Sequence, residues 1–362
     1  MNLNALKLYK NIFSSNLINH GPYKLSFAVT SRCNSVCTHC DVWKHQGNIK
    51  DELTLSEIKR MFSFFDRNIV WVSFTGGEPF VRDDMDEIIT AITRLNKHLA
   101  LLTLTTNGLD QGKILDYIRR ARGINDVNFA ITFSLEGTED IHNSIRKVDD
   151  AFERTINTIK RALHESSGAS NIFLMIETVL DLSNTSSYND FLESLSGRLD
   201  MNRLSFLVTY PHKGNLYGTA NLDNILSWDD VDVIDNLKLL RLNKDNPWPV
   251  KVLQRKYLRH LFEYISTKKS PLPCRAARDS FFIASDGSVY PCIIWDKKIG
   301  NLRDVGMDLN KIIQKRSLIE TRNKIIHKKC PGCWTPCEAN HAIMHDMIRN
   351  PHHLCSDLMR QR

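Results

Sequence analysis

Cys33, Cys37 and Cys40 fall within eight positions of "SRCNSVCTHCDVWK" (31–44), with three and then two residues between them. Full ligation of a four-iron cluster takes four thiolates, so three at this spacing would leave one iron free to bind something else. A zinc site completed by a distant fourth ligand, or buried structural thiols, would draw on the same residue types. The chain holds nine cysteines, and eight lie in the groups 33/37/40, 274/292 and 330/333/337, with Cys355 trailing behind. No apolar run is long enough to cross a bilayer, and the N-terminus is too polar for a secretory signal, so a cytoplasmic location is expected. Clustered thiols in a reducing compartment argue for metal rather than disulfides.

Those residues need a frame. The 362 residues, 42% hydrophobic and 25% charged, can bury a large domain and a smaller one. From residue 24, β-rich runs recur at 24–30, 69–75, 100–106, 127–135, 171–180 and 203–210. Amphipathic stretches such as "TLSEIKRMFSFF", "DMDEIITAITRLN", "GKILDYIRRA" and "DDAFERTINTIKRALHE" separate them. Near-continuous apolar strands joined by helices predict a parallel α/β sheet. Six units are too few for a closed eightfold barrel, so an open, partial barrel or a doubly wound sheet is expected. The pattern breaks at 226–269, which reads as helical connectors. From 271 the chain becomes rich in Cys, Gly and Pro, with a hairpin expected around Asp286-Gly287.

In parallel sheets, ligands gather where strands end and loops begin. The three-cysteine loop follows the first strand there. The second strand ends in Gly76-Gly77-Glu78-Pro79, the third in "TTNG" with Asn107, and the fourth in "SLEG" with Ser134 and Glu136, followed by Arg146. Each has an ordinary turn reading. The glycines would also let backbone approach a ligand and present carbonyls to an ammonium group, with Glu78 as a further acceptor.

Cys-x3-Cys-x2-Cys after strand one, paired with Gly-Gly-Glu-Pro after strand two, resembles the radical S-adenosylmethionine (radical SAM) superfamily over roughly residues 22–212. The resemblance implies a partial (β/α)6 TIM-like barrel in which Cys33, Cys37 and Cys40 hold a [4Fe-4S] cluster. The open iron would be chelated by the amino and carboxylate groups of S-adenosylmethionine (AdoMet). Backbone at Gly76, Gly77 and Glu78 would meet the amino group, Ser134 and Arg146 the ribose or carboxylate, and His39 the adenine. Asn107 lies on the same rim. Relatives commonly carry Ser-x-Asp-Gly where this chain has Ser134-Leu135-Glu136-Gly137. The implied activity is reductive cleavage of AdoMet to a 5′-deoxyadenosyl radical that abstracts a substrate hydrogen, with a low-potential flavodoxin- or ferredoxin-type donor supplying the electron.

The later cysteines, with "DGSVYPC" and "GNL" (300–302), resemble the C-terminal SPASM and twitch modules of that superfamily, which carry auxiliary iron–sulfur clusters. A zinc ribbon is the competing reading of paired thiolates. The resemblance implies at least one auxiliary [4Fe-4S] cluster on Cys274, Cys292, Cys330 and Cys333. Cys337 and Cys355 would be structural or serve a second, open-sited cluster. The expected organisation is an N-terminal extension (1–21), the barrel (22–225), a helical connector (226–270) and a small Cys-rich iron–sulfur domain (271–362).

Auxiliary clusters in the family imply an oxidation or crosslink, most readily of a peptide or protein side chain, as in a maturase. The alternative is the same chemistry on an anionic small molecule such as a sugar nucleotide. Residues 241–362 hold 23 Lys/Arg against 11 Asp/Glu, while 1–240 hold 25 against 30, and the basic end suits an anionic ligand. Only 32 residues precede Cys33, so a fused leader-recognition domain is not expected and a separate leader-peptide-binding chain would take that role. A non-catalytic iron–sulfur protein binding nucleic acid has least support, because no basic run with interleaved aromatics occurs. No catalytic acid or base stands out. His142, Tyr210 and His212 lie near strand ends, where packing and turn roles compete with catalysis.

Overall fold

The computed structural model describes residues 10, 12–14, 21–45, 47–65, 69–211, 214, 216, 250–267 and 269–350. Six strands, β1 (Lys24–Thr30), β2 (Trp71–Gly76), β3 (Leu101–Thr106), β4 (Asn128–Ser134), β5 (Ile172–Val179) and β6 (Leu204–Thr209), pair in parallel, each with the next. The crossovers are helical: α1 (Leu55–Ser63), α2 (Met85–Leu95), α3 (Gln111–Arg122), α4 (Glu139–Arg146), α5 (Ala151–Glu165) and α6 (Tyr188–Ser196). A parallel pair cannot be joined by a tight turn, so each connection must cover a face of the sheet. The sheet stays open at β6, as expected for a partial barrel.

Strand alternation separates two faces with different chemistry. Leu25, Phe27, Val29, Val72, Phe74, Leu102, Leu104, Phe129, Ile131, Phe133, Leu174 and Ile176 are all buried in one core with the helices. The opposite, inner face carries Ser26, Ser73 and Thr103 side by side in register, and a second row of Ala28, Thr75, Thr105, Thr132 and Met175. Ser26, Ser73, Thr75, Thr103, Thr105 and Thr132 therefore place hydroxyls along the inside of the barrel. At its amino-terminal end the Trp71 indole donates to Thr103 Oγ1 at 3.1 Å, and Lys24 Nζ lies 4.4 Å over the Trp71 ring.

α4 and α6 were not anticipated by periodicity. α4 buries only His142, Ile145 and Arg146 of its eight residues, too few to mark an apolar stripe. α6 buries Tyr188, Phe191 and Leu195, a narrow line within a Ser- and Asn-rich stretch.

The C-terminal region is continuous with the barrel sheet. β7 (Ser280–Ile283) pairs in parallel with β1, Lys24 facing Ser280, and β8 (Ser288–Tyr290) and β9 (Gly300–Asn301) follow antiparallel. The expected hairpin around Asp286-Gly287 is present, with Gly287 at φ +81° and Asp286 Oδ1 accepting from Ser288 N. The sequence placed a domain boundary near 270; the sheet runs across it, because β1 offers its free edge to β7. α7 (Val250–Thr267) lies within the expected connector, and α8 (Leu309–Ile313), α9 (Arg316–Ile326) and α10 (Pro336–Arg349) are the last helices among the described residues. Most of the N-terminal extension, much of the connector, and Cys355 and His212 lie outside the described residues.

Candidate active site

The three-cysteine loop begins where β1 ends, and its backbone is fastened to the end of β2. Gly77 N donates to Thr30 O and Glu78 N to Arg32 O, both at 2.9 Å. A Cβ on Gly76, whose φ is +130°, would sit 2.1 Å from Thr30 O, and one on Gly77 would sit 2.0 Å from Arg32 O. The two glycines are thus required by the approach of the cysteine loop itself. Beneath the loop, the Thr30 hydroxyl and Arg32 donate to the Glu52 carboxylate, and Arg82 NH1 lies 3.7 Å from it.

Glu78 is buried and its carboxylate accepts from Phe80 N, Thr106 Oγ1 and Asn107 N at 3.2, 2.8 and 2.7 Å. Burial nevertheless pushes its acid up to about 7. Its acceptors are occupied within the fold, tying the end of β2 to the end of β3. Asn107 extends the tie: Nδ2 donates to Asn34 Oδ1 and Ser35 Oγ within the cysteine loop, at 2.7 and 3.2 Å. Both residues therefore shape the loop from behind.

Cys33, Cys37 and Cys40 lie within electrostatic range of one another. Burial raises the Cys33 thiol to about 12 and the Cys40 thiol to about 11, so the pocket disfavours thiolates in the absence of a cation. One cation is built in. Arg146, at the end of α4, reaches Cys37 Sγ from NH1 at 3.4 Å and the Glu136 carboxylate from NH2 at 2.5 Å. Desolvation opposes its charge, but the Cys37 thiol and Glu136 hold it protonated. Glu136 Oε2 also accepts from Val179 N at 2.9 Å, joining the ends of β4 and β5. His39 Nε2 stands 4.0 Å from Glu136 Oε1, and burial holds the imidazole neutral. Ser134 is half-buried at the end of β4 on the inner face. His142 is fully buried; its Nδ1 accepts from Glu136 N, and desolvation keeps it uncharged, a packing role.

Two buried polar atoms here, His39 Nδ1 and Arg146 Nε, find no partner among the described residues. A buried donor or acceptor without a partner is costly, and a polar ligand over the loop would supply one. No group of three His, Cys, Asp or Glu side chains among the described residues could hold a single metal ion. A four-iron cluster makes no such demand, since each thiolate binds a separate iron. Three grouped thiols beside a fixed guanidinium fit a cluster with one open iron, and the unpartnered atoms fit a polar molecule bound on it.

Cys274, Cys292, Cys330 and Cys333 form the second group. Cys274 and Cys292 each lie in range of Cys333 and of one another, and Cys330 acts on both Cys274 and Cys333. Burial raises Cys333 to about 12 and the first two well above the ordinary thiol range. Backbone amides already point at the sulfurs: Ala276 N donates to Cys274 Sγ at 3.5 Å and Trp295 N to Cys292 Sγ at 3.4 Å. The 330–333 segment is pinned by Trp334, which is buried, stacks on Tyr257 of α7 and donates from Nε1 to Tyr257 O at 2.9 Å. Four thiols so held fit a fully ligated cluster. Cys337 turns elsewhere: the neighbours acting on its buried thiol are Lys24, Glu338 and Glu177, with no cysteine among the principal ones.

Residues 27–185 match the family described as the radical SAM superfamily, and residues 274–334 match the SPASM family, described as an iron–sulfur cluster-binding domain. Residues 27–185 are therefore a radical SAM domain. The second domain is a SPASM module whose matched span takes in Cys274, Cys292, Cys330 and Cys333 and ends before Cys337. Together the two domains imply [4Fe-4S] clusters and AdoMet as cofactors. The chain is 29% identical to GTP 3′,8-cyclase of Haemophilus influenzae (strain Rd) over 164 residues, which is 42% of this chain and 48% of that protein. It is 32% identical to GTP 3′,8-cyclase of Actinobacillus pleuropneumoniae serotype 5b over 146 residues, 38% and 42% of the two. It thus spans somewhat under half the length of these relatives. In structure it resembles Streptococcus suis SuiB bound to the precursor peptide SuiA, with TM-score 0.59 and 17% identity over 92% of this chain and 77% of SuiB. It also resembles anSMEcpe with bound AdoMet and the Cp18Cys peptide, with TM-score 0.57 and 18% identity over 92% and 98% of the chains. At these identities the likeness establishes the fold. No helix among the described residues is long and apolar enough to cross a membrane.

Three side chains of the site carried no motif. Glu177, an acid in the otherwise apolar "IFLMIETV", projects from the inner face of β5 beside Ser134. Tyr257 lies between the two sites, feeling both Glu177 and Cys333. Glu52, beneath the cysteine loop, precedes a helix and reads as part of its cap. The single acid breaking a buried strand was the one usable signal.

Proposed function

We propose that this chain cleaves AdoMet reductively and uses the resulting radical to oxidise or crosslink a peptide or protein side chain. The observation that carries the reading is the pair of thiol groups, three in the loop after β1 and four in the SPASM module whose strand β7 pairs with β1. Cys33, Cys37 and Cys40 would hold a [4Fe-4S] cluster, which would supply the one-electron reduction that AdoMet cleavage requires.

The chain's own residues supply order around that event. Arg146 compensates negative charge at Cys37, and the Glu78–Asn107–Asn34 chain fixes the loop. His39, Ser134 and Arg146 present polar atoms to the nucleoside and the amino-acid end, next to backbone at Gly76 and Gly77. Hydroxyls on the inner face hold a substrate by hydrogen bonds at the mouth of the sheet. Cys274, Cys292, Cys330 and Cys333 would hold a second cluster, which would supply an electron acceptor for an oxidative outcome. A flavodoxin- or ferredoxin-type donor supplies the first electron, and a leader-binding chain would present a peptide.

The peptide reading is supported by the two peptide-bound structures that match 92% of this chain. A second reading, an anionic small molecule such as a nucleotide, is favoured by the GTP 3′,8-cyclase relatives and the basic C-terminal third. Anaerobic protein with reductant and AdoMet, offered separately a peptide library and a nucleotide and sugar-nucleotide pool, separates them. A peptide losing two hydrogens alongside 5′-deoxyadenosine supports the first. Turnover of the nucleotide pool alone overturns it.

A further inference from the structure

Glu177 stands at the carboxyl end of β5 and takes no part in holding the cysteine loop. Strand pairing sets it directly beside Ser134 on β4 and Leu207 on β6, at the carboxyl end of the sheet on the hydroxyl-lined face. Its backbone is fixed, since Leu135 N donates to Glu177 O at 3.0 Å, and its neighbours Ile176 and Thr178 are buried on the helix side. Its carboxylate makes no hydrogen bond or ion pair among the described residues. Arg146, the nearby cation, is engaged by Glu136 and Cys37. On one side Glu177 lies in range of Glu136 and Arg146, at the three-thiol site. On the other it acts on Cys337 and on Tyr257, which packs against the Cys333 segment.

We infer that Glu177 is the substrate anchor of this enzyme, and that it receives a positively charged nitrogen, the ammonium or guanidinium of a Lys or Arg side chain in the peptide substrate. A desolvated carboxylate is costly until a cation meets it, and burial raises this one to about 7 in the free protein. Nothing on the inner face beside it, Ser134, Met175 or Leu207, can neutralise it. A protonated nitrogen docked there would lie next to Ser134, beside the AdoMet position, and between the two thiol groups. A phosphate-bearing ligand in the same place would meet repulsion from Glu177 and Glu136 together.

The inference rests on the peptide reading above, and binding separates the two. The probes are otherwise identical short peptides with Lys, Arg or norleucine at the centre, bound to the reconstituted protein with AdoMet and without reductant. Lys or Arg peptides are expected to bind the native protein at least tenfold more tightly than the norleucine peptide. Glu177→Gln, close in shape, should erase that preference while leaving iron content and AdoMet binding unchanged. Glu177→Asp should retain part of it, and Glu177→Lys should reverse it toward a glutamate-centred peptide. Equal binding of the three peptides by the native protein, or a preference that survives Glu177→Gln, overturns the anchor. Free agmatine included as a competitor tells the source of the cation: displacement by agmatine with no peptide preference places it on a small molecule, which overturns the peptide part. Formation of 5′-deoxyadenosine without any substrate, measured in parallel, tests the radical SAM reading independently.

Discussion

At the scale of residues, the glycines after β2 and the two cysteine groups make distinct demands. Gly77→Ala would force a Cβ to within 2.0 Å of Arg32 O, a backbone atom that cannot rotate away. The cysteine loop must then detach from β2, at a cost of about 1–3 kcal/mol, and the first cluster should be lost. Gly197→Ala, where nothing lies within 4 Å and φ is −80°, should be neutral or slightly stabilising. Melting temperature and iron content of the two variants check the contrast. Among the thiols, Cys333→Ala should lower reconstituted iron from about 8 toward about 4 per chain, while Cys337→Ala should keep about 8. Equal losses would place Cys337 among the ligands.

At the scale of elements, the C-terminal module is clamped to the barrel through α1. Thr54 caps that helix reciprocally with Glu57, and Arg303 from the module donates to Glu57 Oε1 at 2.7 Å and to the carbonyls of Asp51 and Glu52. The Arg303 hydrogen bond holds the Glu57 acid down at about 2, against an ordinary 4.5. The folded chain therefore keeps this carboxylate ionised where an unfolded chain would protonate it. Its stabilisation is complete above about pH 4.5 and disappears as pH falls toward 2. The pair is largely exposed, so about 0–1 kcal/mol is at stake. Glu57→Gln should melt slightly lower than the native chain at neutral pH, with the difference closing on acidification; a difference independent of pH would remove the clamp. The six barrel strands were legible because each is an apolar run ending in a turn signature. The pairing of β1 with β7 was not, because Ser280 lies 256 positions after Lys24 and only the free edge of β1 specifies the match. The thiol groups could be read from spacing. That Glu78 and Asn107 serve the loop from behind could not, since an acceptor facing a ligand and one facing a backbone amide look alike in sequence.

At the scale of the whole molecule, β1 is the common support of both sites. Its carboxyl end leads into the three-cysteine loop, and its edge carries the hairpin that leads to Cys292. The separation of the two thiol groups is therefore set by the pairing of β1 with β7. The most direct measurement is electron paramagnetic resonance of anaerobically reconstituted, reduced Cys333→Ala protein, in which only the loop cluster should remain. Addition of AdoMet should shift that signal, as expected of an iron with a vacant coordination position, and Cys37→Ala in the same background should abolish it. A signal present in Cys333→Ala protein but unmoved by saturating AdoMet would contradict the account.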